Sequence, residues 1–161
     1  MMTTTLADSI TRFTADPSSG QISPSVTATL ANGHARVSAG PFNWDSDLPP
    51  TVGGHNEAPS PTAYLLGALA GCAVAFISAT LAPQFDVELE EMSATASCNT
   101  NLAGLLGVEG ADPVLRGITI DIRIVSPSPA DRVSAMQEAW LQRCPVYLAL
   151  RDANPVQVSF S

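Results

Sequence analysis

Three cysteines, Cys72, Cys98 and Cys144, are the residues of this chain best suited to covalent chemistry. An odd, small number of cysteines in 161 residues is not the even framework of a disulfide-stapled secreted domain. The N-terminus, MMTTTLADSITRF, has no basic segment followed by an apolar one, so it does not read as a secretion signal. A reducing cytoplasm is therefore the expected compartment, where cysteines that matter are redox-active, nucleophilic or metal-binding. Zinc is poorly supported, because there is no Cys-x-x-Cys pair and His34 and His55 lack ligand spacing. A serine hydrolase would need a Gly-x-Ser-x-Gly elbow, and none is present. The expectation is thiol chemistry, with zinc binding the weaker alternative.

The settings of the three thiols differ. Cys72 lies in the middle of SPTAYLLGALAGCAVAFISATLAPQ, a run with no charged residue between Thr62 and Pro83. A lone cysteine in apolar company is either a small hydrophobe or a sheltered nucleophile, and position alone leaves both open. Cys144 stands at the start of a short helix, before Pro145 and beside Arg143. Free backbone N–H groups and the positive end of the helix dipole stabilise a thiolate there, although the residue could equally be a plain cap. Cys98 falls in phase with Met92, Ala94 and Ala96 on a strand and reads as structural.

The elements that must position these residues follow from periodicity. Residues 1–24 are rich in Thr, Ser, Asp and Pro and read as an N-terminal arm, frayed or exchanged with a partner. Residues 25–161 read as one domain. SVTATLANGHARVSAG is a hairpin turning at Asn32-Gly33, both of which tolerate positive φ. PFNWDSDLPPTVGGHNEAPSP reads as a proline-punctuated loop. The apolar run is a helix of about 20 residues started by Pro61 and ended by Pro83. FDVELEEMSATASCNT is a strand, NLAGLLGVEGADPVL a glycine-rich connection, and GITIDIRIV a strand with Ile118, Ile120, Ile122 and Ile124 on one face. SPSPADRVSAMQEAWLQRC is an amphipathic helix capped by Ser128, with Val133, Met136 and Trp140 as its buried stripe. NPVQVSF closes the chain as a strand with Val156, Val158 and Phe160 on one face. This order predicts an α+β fold with antiparallel sheets.

The apolar fraction, 45%, supports a real core, and the net charge of −8 with a pI of about 4.4 argues against nucleic acid or anionic membrane as partners. The long apolar helix meets the length rule for a membrane span. Its Ala/Gly-rich composition and the lack of Lys or Arg between Arg36 and Arg116 favour a core helix instead. A chain this short can hardly wrap such a helix on every side, so a second subunit is expected to cover it. Gly67 and Gly71 would let that partner's backbone approach closely.

SPTAYLLGALAGCAVAF resembles the Asn/Ser-Pro…Ala-Cys helix of the OsmC/Ohr family (osmotically inducible protein C and organic hydroperoxide resistance proteins). CPVYLAL resembles that family's second motif, Cys-Pro at a helix start. Eleven positions separate Pro61 from Cys72, the family's spacing, and the upstream Gly-Gly and the element order agree over residues 25–160. The resemblance implies an intertwined homodimer with antiparallel sheets packed around a long central helix. It implies reduction of organic hydroperoxides without flavin, haem or metal, with Cys72 peroxidatic, Cys144 resolving and an external dithiol as reductant. It departs at two positions: Thr62 stands where the peroxidase branch has a Glu, and Asn32 where it has an Arg. Glu57, five residues before Thr62, and Arg36, four beyond Asn32, are the candidate stand-ins that would activate the thiol, with Arg12 a third. The other function the resemblance allows is a non-peroxidase protein that binds a small hydrophobic ligand in an apolar cleft at the dimer interface.

Overall fold

The computed structural model describes residues 5–152 and 155–160. The chain forms two compact units, Met1–Ser46 and Asp47–Ser161.

The first unit opens with a helix, α1 (Leu6–Ala15), inside the stretch read as an arm. Thr5 and Asp8 form a capping box: the Thr5 hydroxyl accepts the Asp8 N–H and the Asp8 carboxylate accepts the Thr5 N–H. Leu6, Ile10 and Phe13 supply the helical spacing that the polar composition had masked. Arg12 lies over the ring of Phe13, 4.6 Å from its centroid. Three antiparallel strands follow: β1 (Thr27–Ala31), β2 (His34–Ala39) and β3 (Phe42–Ser46). The expected hairpin is present, and Asn32 (φ 51°) and Gly33 (φ 88°) carry the positive dihedrals that its two-residue turn demands. β3 lies inside the expected proline-punctuated loop, bracketed by Pro41 and the Pro49-Pro50 pair that mask its pattern. It pairs with β2 throughout, with Val37 opposite Trp44 and Arg36 opposite Asp45.

In the second unit, α2 (Pro61–Phe76) begins where expected, with Ser60 as N-cap, its hydroxyl accepting the Ala63 N–H at 3.2 Å, and Pro61 at the first position. Pro83 does not end the rod. A π-helical turn, Ile77–Leu81, widens the spiral so that Ala82 donates to Ile77, five residues back, and α3 (Ala82–Phe85) continues through the proline. The wider turn gives the proline ring room where an α-helical carbonyl four residues back would clash. The rod ends at Asp86, whose φ of 52° is left-handed. By length and apolar composition this 25-residue rod could cross a membrane, yet Leu69, Ala73, Ile77, Leu81 and Ala82 on one side are built into the protein core.

That core lies between the rod, a two-stranded antiparallel sheet and a second helix. β4 (Glu91–Asn99) and β5 (Arg116–Val125) pair with Ala94 opposite Ile122 and Ala96 opposite Ile120. The even-numbered isoleucines of β5 and the matching positions of β4 are half-buried on one face, as their alternation predicts. The glycine-rich connection holds a one-turn helix, α4 (Leu102–Leu105). α5 (Ala130–Arg143) buries Met136, Ala139 and Trp140, with Val133 packed beside them. Its N-cap is Pro129 rather than Ser128. The Ser128 hydroxyl instead accepts the Glu88 N–H at 2.8 Å, tying the approach of α5 to the end of the rod. α6 (Pro145–Arg151) follows after a single residue. The expected closing strand is not paired: residues 155–160 belong to no sheet, and Val156, Val158 and Phe160 are 85%, 72% and 97% exposed. Their alternation has no partner strand within this chain among the described residues.

Candidate functional site

Cys144 is the joint between α5 and α6, and Pro145 makes it so. A proline pushes the residue before it out of the helical region. Cys144 accordingly takes φ −69° and ψ 111°, donates its N–H to Trp140 to finish α5 at 2.9 Å, and accepts from Leu148 to begin α6 at 3.0 Å. Its side chain is fully buried. Cys72, in the last half of α2, is partly exposed and packs against the same core. The two meet: the Cys144 thiol lies 3.3 Å from the Cys72 sulfur, sulfur to sulfur, and donates to it. Residues 72 apart in the chain are brought to the distance at which one thiol can capture the other's oxidised form.

The electrostatics of the pair are those of two thiols in contact, one buried and one partly exposed. The Cys72 thiol is pushed up from its ordinary value to about 11, first by burial, then by the hydrogen bond and charge of Cys144. The backbone N–H of Val146, in the first turn of α6, acts the other way and favours the thiolate. Removing Cys144 takes away two of the three influences that raise Cys72. Cys144→Ala is expected to lower the Cys72 pKa below about 11, read from the pH dependence of alkylation in a Cys98→Ser background. An unchanged profile would mean that burial alone sets the value.

Both expected stand-ins make hydrogen bonds of their own. Arg36 makes a bidentate ion pair with Asp45 across β2 and β3, and His34 lies 3.7 Å from the same carboxylate. Glu57 is exposed on the loop before α2 and gives its backbone N–H to Asp47. Thr62 occupies the first turn of α2 and Asn32 the hairpin turn. Cys98 is half-buried on β4 in the predicted phase. Among the described residues no three His, Cys, Asp or Glu side chains gather as a metal site would need.

One residue shapes the approach to the site and was not singled out in the sequence. Asp47, only 6% exposed, accepts the backbone N–H groups of Leu48 (2.7 Å), His55 (3.0 Å) and Glu57 (3.0 Å). These bonds hold its carboxyl below the usual range. The Asp47 N–H donates to Pro59, so the loop closes one residue before the Ser60 cap of the Cys72 helix. The available signal is an Asp followed by Pro49-Pro50 and Gly53-Gly54, the composition of a loop that needs an internal acceptor.

The OsmC family model, described as OsmC-like protein, matches residues 54–159, well over half of the chain and both cysteine motifs. The chain belongs to the OsmC-like family. Solved structures agree on the fold of this OsmC-like protein. An OsmC-like protein from Mycoplasma pneumoniae superposes with a TM-score of 0.66 at 20% identity, covering 81% of this chain and 88% of its own. An organic hydroperoxide resistance protein OsmC from Legionella pneumophila gives 0.59 at 18%, covering 81% and 90%. A protein from Psychrobacter arcticus, described as a putative osmotic stress induced and detoxification response protein, gives 0.61 at 17%, covering 80% and 89%. Among curated proteins no sequence relative matches.

Proposed function

We propose that this OsmC-like protein reduces organic hydroperoxides with the Cys72–Cys144 pair, in a reducing compartment. The observation that carries the reading is the 3.3 Å approach of the two sulfurs. The Cys72 thiolate attacks the terminal peroxide oxygen; the O–O bond breaks, the alkoxide leaves and takes a proton, and Cys72 becomes a sulfenic acid. The Cys144 thiol then displaces hydroxide, which leaves as water, and the disulfide forms; an external dithiol restores both thiols. The Legionella and Elizabethkingia neighbours are each described as organic hydroperoxide resistance proteins, which supports the substrate class. The test is to mix reduced protein with cumene hydroperoxide and count free thiols. Loss of two per chain supports the reading, and thiols that persist overturn it.

The raised Cys72 thiol and the Thr62 and Asn32 departures favour a second reading, an OsmC-like protein that binds a small hydrophobic ligand without peroxidase turnover.

In either case the working unit is a homodimer. Only 28% of the most apolar stretch of the Pro61–Phe85 rod is buried in one chain, and a side chain at Gly67 or Gly71 would meet nothing within 4 Å. Light scattering is expected to give twice the 16.7 kDa of the chain. Gly71→Leu, which places a bulky side chain on the open face, is expected to shift the mass toward one chain. A wild-type mass of one chain would refute the assembly.

A further inference from the structure

The second unit holds two half-open apolar recesses that share a wall. One, of about 250 Å³, has Ile77 of the rod, Trp140 of α5 and Tyr147 of α6 in its lining. The other, of about 220 Å³, has Leu69 of the rod, Leu150 of α6 and again Tyr147. Ile120 of β5 lines both, and neither Cys72 nor Cys144 lines either. Along the rod, Cys72 falls between Leu69 and Ile77, the two residues that the rod gives to the recesses.

The three elements that meet at the thiol pair are not equally anchored. The rod buries Leu69, Ala73, Ile77, Leu81 and Ala82, and α5 buries Met136, Ala139 and Trp140. α6 buries none of its own residues and is joined to α5 by Cys144 alone. A disulfide holds its sulfurs about 2.05 Å apart, whereas the two thiols lie at 3.3 Å. Closing the bond draws the sulfurs together by over an ångström. A close-packed interior yields by shifting an element rather than by compressing, and the least anchored element here is α6. Tyr147 stands in its first turn, three residues after Cys144, with its ring on Trp140, centroids 5.1 Å apart at 33°. Drawing α6 toward Cys72 carries Tyr147 toward the rod.

We infer that the cysteine pair is a redox switch on α6: oxidation draws α6 to the rod, slides Tyr147 along Trp140 and narrows both recesses, and reduction reopens them. The inference rests on the proposed closure of the pair and adds a conformational consequence to it. In the closing step two S–H bonds give way to one S–S bond. The two electrons and two protons go to the hydroperoxide in turnover, or to diamide in the test, which becomes the hydrazine.

The test compares reduced protein with protein oxidised by diamide, in a Cys98→Ser background with free thiols counted. The Tyr147 ring and the Ile120 methyl groups are followed by NMR, and xenon, which enters apolar cavities, probes the recesses. Xenon is expected to move the Ile120 methyl resonances of the reduced protein saturably and to lose that effect once both thiols are gone. Dithiothreitol is expected to restore it, and Cys144→Ala to keep the reduced behaviour after diamide. Loss of both thiols with xenon uptake and the Tyr147 resonances unchanged overturns the inference and leaves the thiol chemistry standing, because rotation of the two side chains alone would then have closed the bond. Xenon that never enters the reduced protein, or a diamide response that persists in Cys144→Ala, overturns it as well. Thiols that resist diamide overturn both the switch and the paired chemistry on which it rests.

Discussion

Cumene hydroperoxide is expected to remove two thiols per chain from the wild-type protein, one from Cys144→Ser and none from Cys72→Ser, while Cys98→Ser behaves as wild type. Each number follows from the geometry. Cys72 is the partly exposed partner and Cys144 the fully buried one, so peroxide reaches Cys72 first. With Cys144 replaced, oxidation stops at the sulfenic acid, and with Cys72 replaced it does not start. Cys98 lies on β4, a different element from either member of the pair.

The same reaction should be slow at neutral pH and accelerate steeply with alkali. A thiol whose pKa is about 11 sits four units above pH 7, so roughly one molecule in ten thousand carries the thiolate there. The second-order rate is expected to rise about tenfold per pH unit between 7 and 10. Loss of two thiols in the wild type with no loss in Cys72→Ser establishes the roles. A rate flat across that range would show that the thiolate is activated by a group other than Val146. Stability carries the opposite sign. Burial and Cys144 raise the folded Cys72 thiol above its ordinary value of 9.0, so the protonated Cys72 contributes fully below pH 9, and that contribution is lost as the pH rises through about 11.

What could be read in the sequence is what depends on local chemistry. Pro145 forces Cys144 into an extended joint whatever surrounds it, and Ser60-Pro61 starts a helix on its own terms. The place of both cysteines on their elements was therefore legible, as were the isoleucine face of β5 and the Asn32-Gly33 turn. The features that depend on distant partners were not. Pro83 reads as a stop until a π turn makes room for it. Ser128 reads as a cap until Glu88, 40 residues away, claims its hydroxyl. The Arg36–Asp45 pair is not legible until β3, hidden between prolines, brings Asp45 opposite Arg36. Val156, Val158 and Phe160 read as a buried strand face because alternation reports a surface that wants cover without reporting what supplies it. The resemblance placed the chain in its family, but the sulfur–sulfur distance had to come from the structure.

The largest stability effect is expected from Gly54→Ala, and its neighbour provides the control. A Cβ at Gly54 would stand 2.0 Å from the Leu48 carbonyl oxygen, 2.5 Å from its carbon and 2.8 Å from an Asp47 carboxylate oxygen. Two of these are backbone atoms and cannot swing aside. The loop must open, and it is the loop in which Asp47 gathers three N–H groups, Gly54 donates to Pro49 and Asn56 donates to Leu48. A clash of this kind in a closed ring costs about 2–4 kcal/mol. For a chain of this size that lowers Tm by roughly 5–15 °C. Gly53→Ala faces a different penalty: φ is +94° but nothing lies within 4 Å, so the cost is left-handed strain of about 1–2 kcal/mol. Tm is thus expected to fall further for Gly54→Ala than for Gly53→Ala. Because Asp47 also binds Pro59, next to the Ser60 cap, hydrogen exchange at the Ala63 amide should quicken in the first variant alone. Equal losses of Tm with unchanged exchange at Ala63 would mean that the loop and the Cys72 helix are energetically separate.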